Sequence, residues 1–320
     1  LPVGRTAADF SRVRRHGGYL AEWFAHHAAW TLGITAEAIR LRKTPADPGD
    51  ATRPALDPKN LEPFNRRRYA LLCVALSVLE RGDRQITLGR LFEHIAATLA
   101  ADPHFAANGV VLDPGQQTSR RDLVLVLRLL VELGAIRRIQ GSEDGFVRDQ
   151  SSDALYSIER PVLAALPLGA RSPSLFPADA PEPHRALVEE PVPHSREARN
   201  RTLRVQLVRR LLDDPVVYFA DLSEEALAYL ESQRTFLLKT LEEDTGLVPE
   251  VRAEGIALAD LQGDTTDVGL PEEGTEGHLT LLLAEWMALR LRQGQGGGAV
   301  RLTREEILRQ TRLCIREHAR

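Results

Sequence analysis

Apolar residues recur near a 3.6-residue period from Ala8 to Trp30 (Phe10, Val13, Leu20, Trp23, Phe24, Trp30), which predicts helix, and Ala38 to Lys43 then reads as a short strand. A polar, proline-bearing loop covers Thr44 to Pro63. Arg66 to Glu80 predicts a helix with Tyr69, Leu72, Cys73, Leu76 and Leu79 on one face, and Thr87 predicts the cap of a second helix running to about Ala101. Ser119 is expected to open a third helix to Leu133, with Gly134 in the left-handed position that ends it. Ala135 to Ile139 and Ala154 to Ile158, separated by the turn-rich Gly141 to Asp153, then read as a β-hairpin. Three helices followed by a hairpin make a winged helix at about 64–160, within an N-terminal unit of residues 1–160.

Eight prolines fall between Pro161 and Arg199 with almost no helical periodicity, which predicts a linker or extended arm over 161–199. Residues 200–320 then repeat the order of the first unit. Pro215-Val216 opens a segment whose helix, Ser223 to about Glu243, runs into Gly246-Leu247, as Pro2-Val3 opens one whose helix runs into Gly33-Ile34. The strand Gly255 to Leu258, a polar loop and the helix Leu279 to Leu291 match Ala38 to Arg42, its loop and Ala70 to Leu79. Val300 to Thr303 matches Arg84 to Thr87, with Thr303 capping a helix from Arg304 to His318. The expected fold is mainly α with small β-hairpins, an α+β protein of tandem winged-helix units, the second cut short at its C-terminal side. Leu1 stands where an initiator Met is expected, which implies a true start further upstream.

A chain of 320 residues exceeds what one hydrophobic core usually spans, in keeping with two units. Its 43% hydrophobic and 27% charged residues exclude a wholly disordered or collagen-like protein. A formal net charge of -4 excludes a surface that is polycationic throughout, so any DNA contact must be a local patch. Cys73 and Cys314 lie far apart in apolar helical patterns, which argues against a disulfide framework and for the cytosol. No apolar run approaches a membrane span, and the first residues do not read as a secretory leader.

The search for catalytic chemistry returns little. No G-x-x-x-x-G-K-[ST], H-E-x-x-H or D-x-D occurs, and Gly294 to Gly298 lacks the Lys and preceding strand of a phosphate cradle. His26 and His27 point roughly 100° apart on a helix and read as exposed polar residues, not metal ligands. Neither an enzyme nor a cofactor is expected.

In the third helix, Leu123 to Leu127, Leu129 to Val131 and Leu133 cover most of the circumference and leave a narrow polar stripe of Arg121, Arg128 and Glu132. A helix that reads a major groove must offer several polar side chains to base edges, so this one is expected to contact protein on two sides. Arg120, Arg137, Arg138 and Arg148 remain candidates for phosphate contact or for surface ion pairs. Arg66, Arg67 and Arg68 put three cations at the positive end of a helix macrodipole. Either Asp57 and Glu62 offset them, or they bind DNA phosphate or an acidic stretch of a partner. From Asp221 to Glu276, fifteen acids stand against three basic residues, a surface that repels DNA and suits a basic partner or plain solvation.

Four runs carry a family resemblance: Phe10 to His16 (FSRVRRH), Ile39 to Asp47 (IRLRKTPAD), Pro63 to Cys73 (PFNRRRYALLC) and Asp153 to Tyr156 (DALY). They resemble the MukE-like subunit of bacterial Wadjet anti-plasmid systems, most closely over residues 1 to about 176. That family belongs to the tandem winged-helix, kleisin-interacting elements (KITE) of condensin-like SMC complexes. The resemblance implies a non-catalytic, homodimeric subunit that binds a MukF-like kleisin and sits near the heads of a MukB-like SMC ATPase. It also implies that the subunit senses and helps hold plasmid DNA that a separate Toprim-type nuclease subunit cleaves, in the cytoplasm, on nucleoid or plasmid. The competing reading is a stand-alone winged-helix transcriptional regulator, which would need a polar third helix and a net basic face.

Overall fold

The computed structural model describes residues 7–47, 49–50, 53–57, 60–148, 152–166, 195–263, 265, 274–293 and 300–318. Compactness divides the chain into one unit of 1–214 with 222–231 and a second of 215–221 with 232–320. The division after Asp214 lies beyond the expected 161–199 linker because a helix over Arg196–Asp213 packs within the first unit.

The first unit opens with α1 (Ala7–Arg15) and α2 (Gly17–His27), followed by a hairpin of β1 (Thr31–Ile34) and β2 (Ile39–Arg42). Only β2 was legible as a strand; β1 is four residues long and interrupted by Gly33. The hairpin turn is closed by Thr35, whose backbone N–H and hydroxyl both donate to the Ala38 carbonyl, at 2.8 and 3.0 Å. Trp30, expected on the first helix, lies beyond it and is buried, its indole N–H donating to the Thr44 carbonyl at 3.1 Å.

A helical module follows: α3 (Arg66–Arg81), β3 (Gln85–Thr87), α4 (Leu88–Ala101), α5 (Pro103–Ala107), α6 (Gln117–Glu132), β4 (Ile136–Gly141), α7 (Glu143–Arg148), β5 (Ala154–Ile158) and α8 (Arg160–Ala165). The three strands form one antiparallel sheet in the order β3-β5-β4, so the first strand of the module pairs with the last. Asn65 caps α3 by accepting from the Arg68 N–H, and Thr87 caps α4 by accepting from the Arg90 N–H, each freeing the helix start of an orphan donor. The core joins Leu71, Val74, Ala75 and Leu79 of α3 to Leu88, Leu91, Phe92 and Ile95 of α4, Leu123 to Leu127 of α6, and Tyr156 and Ile158 of β5.

Several boundaries differ from expectation. The buried face of α3 is Arg68, Leu71, Val74, Ala75 and Leu79, while Tyr69 and Cys73 are exposed. Apolar residues surround most of that helix, so periodicity alone does not select the stripe. Helix α6 starts at Gln117, and Ser119 is buried inside it; the Ser119 hydroxyl accepts from Arg67 at 2.9 Å and from the Asp113 N–H at 3.3 Å. Its end is as expected: Gly134 has φ 74° and donates to Val131 O, while Ala135 donates to Leu130 O, the two bonds of a Schellman cap. The Gly141 to Asp153 segment is not merely turn, because α7 interrupts it. Pro161 stands in the first turn of α8, where no N–H is needed, and Val162, Leu163 and Leu166 enter the core, so the expected linker does not begin at 161.

Residues 167–194 lie outside the described residues. Beyond them α9 (Arg196–Asp213), which the proline-rich reading hid, is capped by Ser195 and buries Val205, Leu207, Val208 and Leu211. Its buried Arg209 donates to the Ala28 carbonyl at 2.7 Å.

The second unit holds β6 (Val217–Tyr218), most of α10 (Glu224–Thr245), β7 (Val248–Val251), β8 (Gly255–Ala259), α11 (Thr275–Gln293) and α12 (Arg304–His318). Its sheet has the order β6-β8-β7. Gly255 is required where β8 passes β6, since a Cβ there would stand 2.4 Å from the Val217 carbonyl oxygen. The succession α10, β8 and α11 follows α2, β2 and α3 in the order helix, strand, helix that the repeat predicted, and each copy carries a further strand ahead of it, β7 and β1, that was not expected. The opening match at Pro2-Val3 lies outside the described residues. The match at Val300 to Thr303 is not a strand; Thr303 serves there as cap, its hydroxyl accepting from the Glu306 N–H at 3.2 Å while the Glu306 carboxylate accepts from the Thr303 N–H at 2.8 Å. Taken together, the chain is mainly helical with small antiparallel sheets, an α+β protein.

Candidate nucleic-acid interface

All nine candidate arginines lie in or beside the helical module, and most are already engaged by their own chain. Arg68 is buried; its Nε donates to Asp122 Oδ1 at 3.0 Å, and an Nη lies 3.7 Å from Glu62. Arg67 donates to the Val111 carbonyl at 2.8 Å and to the Ser119 hydroxyl, with Asp122 at 3.6 Å. Arg66 is exposed and reaches the Asn108 amide oxygen at 3.4 Å. The cations at the start of α3 are therefore offset by Glu62, as the local reading expected, and chiefly by Asp122 of α6, which it did not foresee. Asp57 is buried in the preceding turn, its N–H donating to the Glu62 carbonyl at 2.9 Å.

The other arginines gather around α6 and the hairpin. Arg120 is buried and donates to the carbonyls of Pro114, Val147 and Arg148. Arg128 donates to Glu143 at 3.0 Å and lies 3.6 Å from Asp144. Arg138 stands 3.9 Å from Glu143, Arg137 pairs with Glu159 at 3.4 Å, and Arg121 lies 3.7 Å from Glu62. Arg148 bonds a backbone carbonyl, that of Asp144, at 3.4 Å.

Helix α7 organises this cluster. Acidic Glu143 and Asp144 in its first turn and Arg148 in its last suit the helix dipole, and the Ser142 hydroxyl accepts from the Asp144 N–H at 3.3 Å. Phe146 is buried against Phe92 with ring centroids 5.9 Å apart, and Glu143 is buried between Arg128 and Tyr156. The Tyr156 phenol is pushed well above its ordinary value, first by burial and then by the hydrogen bond to Glu143. Thus α7 lies over α6 and covers with its own chain the second side that the apolar pattern assigned to a protein partner. Beside α7 lies an open cleft of about 300 Å³ lined by Arg121, Val124, Arg128, Asp144, Val147 and Arg148.

Among the described residues, no three His, Cys, Asp or Glu side chains cluster so as to hold a metal ion. His27 stacks on Trp23 with centroids 4.9 Å apart. Gly294 to Gly298 lies outside the described residues. Among the described residues no helix is long and apolar enough to cross a membrane.

A family model described as a protein of unknown function, DUF2398, matches residues 1–320. The chain belongs to the DUF2398 family. No curated protein and no solved structure matches it.

For this DUF2398 chain, sequence reasoning missed three residues that hold the site together: Asp122, Glu143 and Tyr156. Asp122 carried little signal, because an acid in the polar opening turns of α6, beside Arg120 and Arg121, ordinarily faces solvent. Glu143 carried none, because acidic residues in a turn-rich stretch are ordinarily solvated.

Proposed function

We propose that the chain is a non-catalytic, kleisin-binding subunit of an SMC-type, condensin-like complex that senses and helps hold plasmid DNA in anti-plasmid defence. In this reading α3, β3, α4, α6 and the β4-β5 hairpin form a winged helix, supported by the order helix, strand, two helices and hairpin and by pairing of the first strand with the last. The second unit repeats the succession of helix, two strands and helix that opens the first, and on that likeness it is read as a related winged-helix unit, making the pair a tandem.

The observation that carries the reading is α7 lying over α6. A sequence reader lays its third helix in the major groove and offers polar side chains to base edges. Here Arg120 and Arg128 of α6 are bonded to α7, and Phe146 of α7 is seated in the core. That favours a structural subunit over the alternative, a stand-alone transcriptional regulator. In this reading the partners are a MukF-like kleisin, a MukB-like SMC ATPase and a second copy of the chain, in the cytoplasm on nucleoid or plasmid, with DNA cleaved by a Toprim-type nuclease of the same system. The fifteen acids against three basic residues between Asp221 and Glu276 give that part of the sequence a charge suited to a basic partner and unsuited to DNA.

Co-expression of the tagged chain with the kleisin and SMC products of neighbouring genes tests it. The expected result is co-elution with both, with ATP hydrolysis and DNA cleavage absent from the chain alone. Elution without either, together with tight binding to a single DNA sequence, would establish the regulator instead.

A further inference from the structure

We infer that the cleft between α6 and α7 is a site for the phosphodiester backbone of duplex DNA, bound without regard to sequence. This deepens the DNA-holding part of the proposed role and rests on it for the identity of the ligand. The nine candidate arginines are not equivalent: Arg121, Arg128 and Arg148 converge on one cleft, whereas Arg67, Arg68 and Arg120 are tied into the protein. Arg121 and Arg128 are seven residues apart on α6, two turns along one face and about 10 Å apart in rise. Arg148 enters from the end of α7, and the floor between them is apolar, made by Val124 and Val147.

The three cations differ in how firmly they are held. Arg128 is fixed by Glu143 at 3.0 Å, so its fork is pre-oriented. Arg121 is 56% exposed with its carboxylate partner at 3.7 Å, and Arg148 bonds the Asp144 carbonyl oxygen at the long distance of 3.4 Å. Two loosely held guanidinium groups and one fixed group line the cleft, and each can take a phosphate through its paired N–H donors, Arg121 and Arg128 being too far apart to share one. Among the described residues Asp144 is the single carboxylate lining the cleft, and it faces Arg128.

An extended polyanion suits the site better than a small acid. Arg138 adjoins Arg128 through Glu143, and both Arg138 and Arg137 are mostly exposed on β4, so the cationic row continues from the cleft onto the hairpin. Base edges have no donor or acceptor to meet on a floor of two valines, and backbone contacts carry no sequence information.

The test is the salt dependence of duplex binding by the full chain, with two duplexes of equal length and unrelated sequence. Both should bind equally. Arg121→Gln with Arg148→Gln should weaken binding and reduce the slope of log affinity against log salt by about 1.8, roughly 0.9 for each phosphate no longer neutralised. Arg121→Gln alone should remove about 0.9, which keeps the test decisive if the double variant is unstable. Arg312→Gln with Arg316→Gln on α12 removes the same formal charge and should leave the slope unchanged. An unchanged slope in the cleft variants, an equal loss from the α12 pair, or displacement by polyglutamate in preference to DNA overturns the inference. Retained co-elution with kleisin and SMC subunits in that event would show that the site fails while the subunit reading stands.

Discussion

The hydroxyl of Tyr156 donates to Glu143 at 2.7 Å inside the protein, tying the last strand of the module to the first residue of α7. The other carboxylate oxygen of Glu143 accepts from Arg128 of α6 at 3.0 Å. One buried carboxylate therefore fastens sheet, cover and third helix together. Tyr156→Phe removes a hydrogen bond to a charged acceptor and should lower unfolding stability by about 1.5–3 kcal/mol. Chemical denaturation measures it, and an unchanged midpoint would mean that the bond does not hold α7 in place.

Tyr156 also sets a pH response. Its phenol is raised above the ordinary value of 10.0, by burial first and by Glu143 second. A raised folded value favours the protonated form in the native state, so the contribution is complete below the unfolded value and is lost as pH rises above it toward the folded one. Of the five tyrosines, Tyr156 should stay un-ionised in an alkaline absorbance titration until the chain unfolds. Reversible ionisation of all five together, without unfolding, would contradict its burial.

Asp122 and Glu62 both face Arg68, in different surroundings. The side chains of Arg68 and Asp122 are 8% and 12% exposed, whereas Glu62 is 49% exposed. Asp122→Asn leaves a buried guanidinium with only the half-exposed Glu62, at 3.7 Å, as a charge partner and should cost about 3–5 kcal/mol. Glu62→Gln weakens a screened surface pair and should cost about 0–1 kcal/mol. Similar losses from the two variants, read by thermal unfolding, would show that burial does not distinguish the pairs.

Two glycines separate conformational need from spatial need. Gly109 has φ 72° and open space where a Cβ would stand, so Gly109→Ala should cost about 1–2 kcal/mol for the left-handed backbone alone. Gly141 has φ 89°, and a Cβ there would also stand 2.1 Å from the Asp153 carbonyl oxygen, across the strand pair. Gly141→Ala should therefore cost more than Gly109→Ala; the reverse order in denaturant midpoints would contradict the β4-β5 register.

The sequence made local devices readable wherever one residue performs one job. Thr87, Thr303 and Gly134 stand where caps were expected, because capping depends on neighbours within a few residues. Helices α3, α4, α6, α10, α11 and α12 and the strands β2, β4, β5 and β8 were likewise legible from the apolar pattern. What stayed hidden depends on distant partners: the pairing of Arg68 with Asp122 spans two helices, and α7 is a six-residue helix kept in place by Phe92, Arg128 and Tyr156. Helix α9 was lost for a different reason, since its Arg-rich run follows a proline-rich stretch and its apolar face gains meaning only once Val205, Val208 and Leu211 are buried. Of the nine candidate arginines, nothing in the sequence separated the three that share a cleft from those that brace the module.

The claim that divides a complex subunit from a sequence reader is that α6 stays covered, and native-state hydrogen exchange of the full chain tests it most directly. Amides of α6 and of the Phe146 turn of α7 should exchange together, at the rate of the most protected core helices, with or without saturating duplex DNA. Exchange of α7 through a separate, lower-energy opening, accelerated when DNA is added, would show a lid over a reading helix and contradict the subunit account.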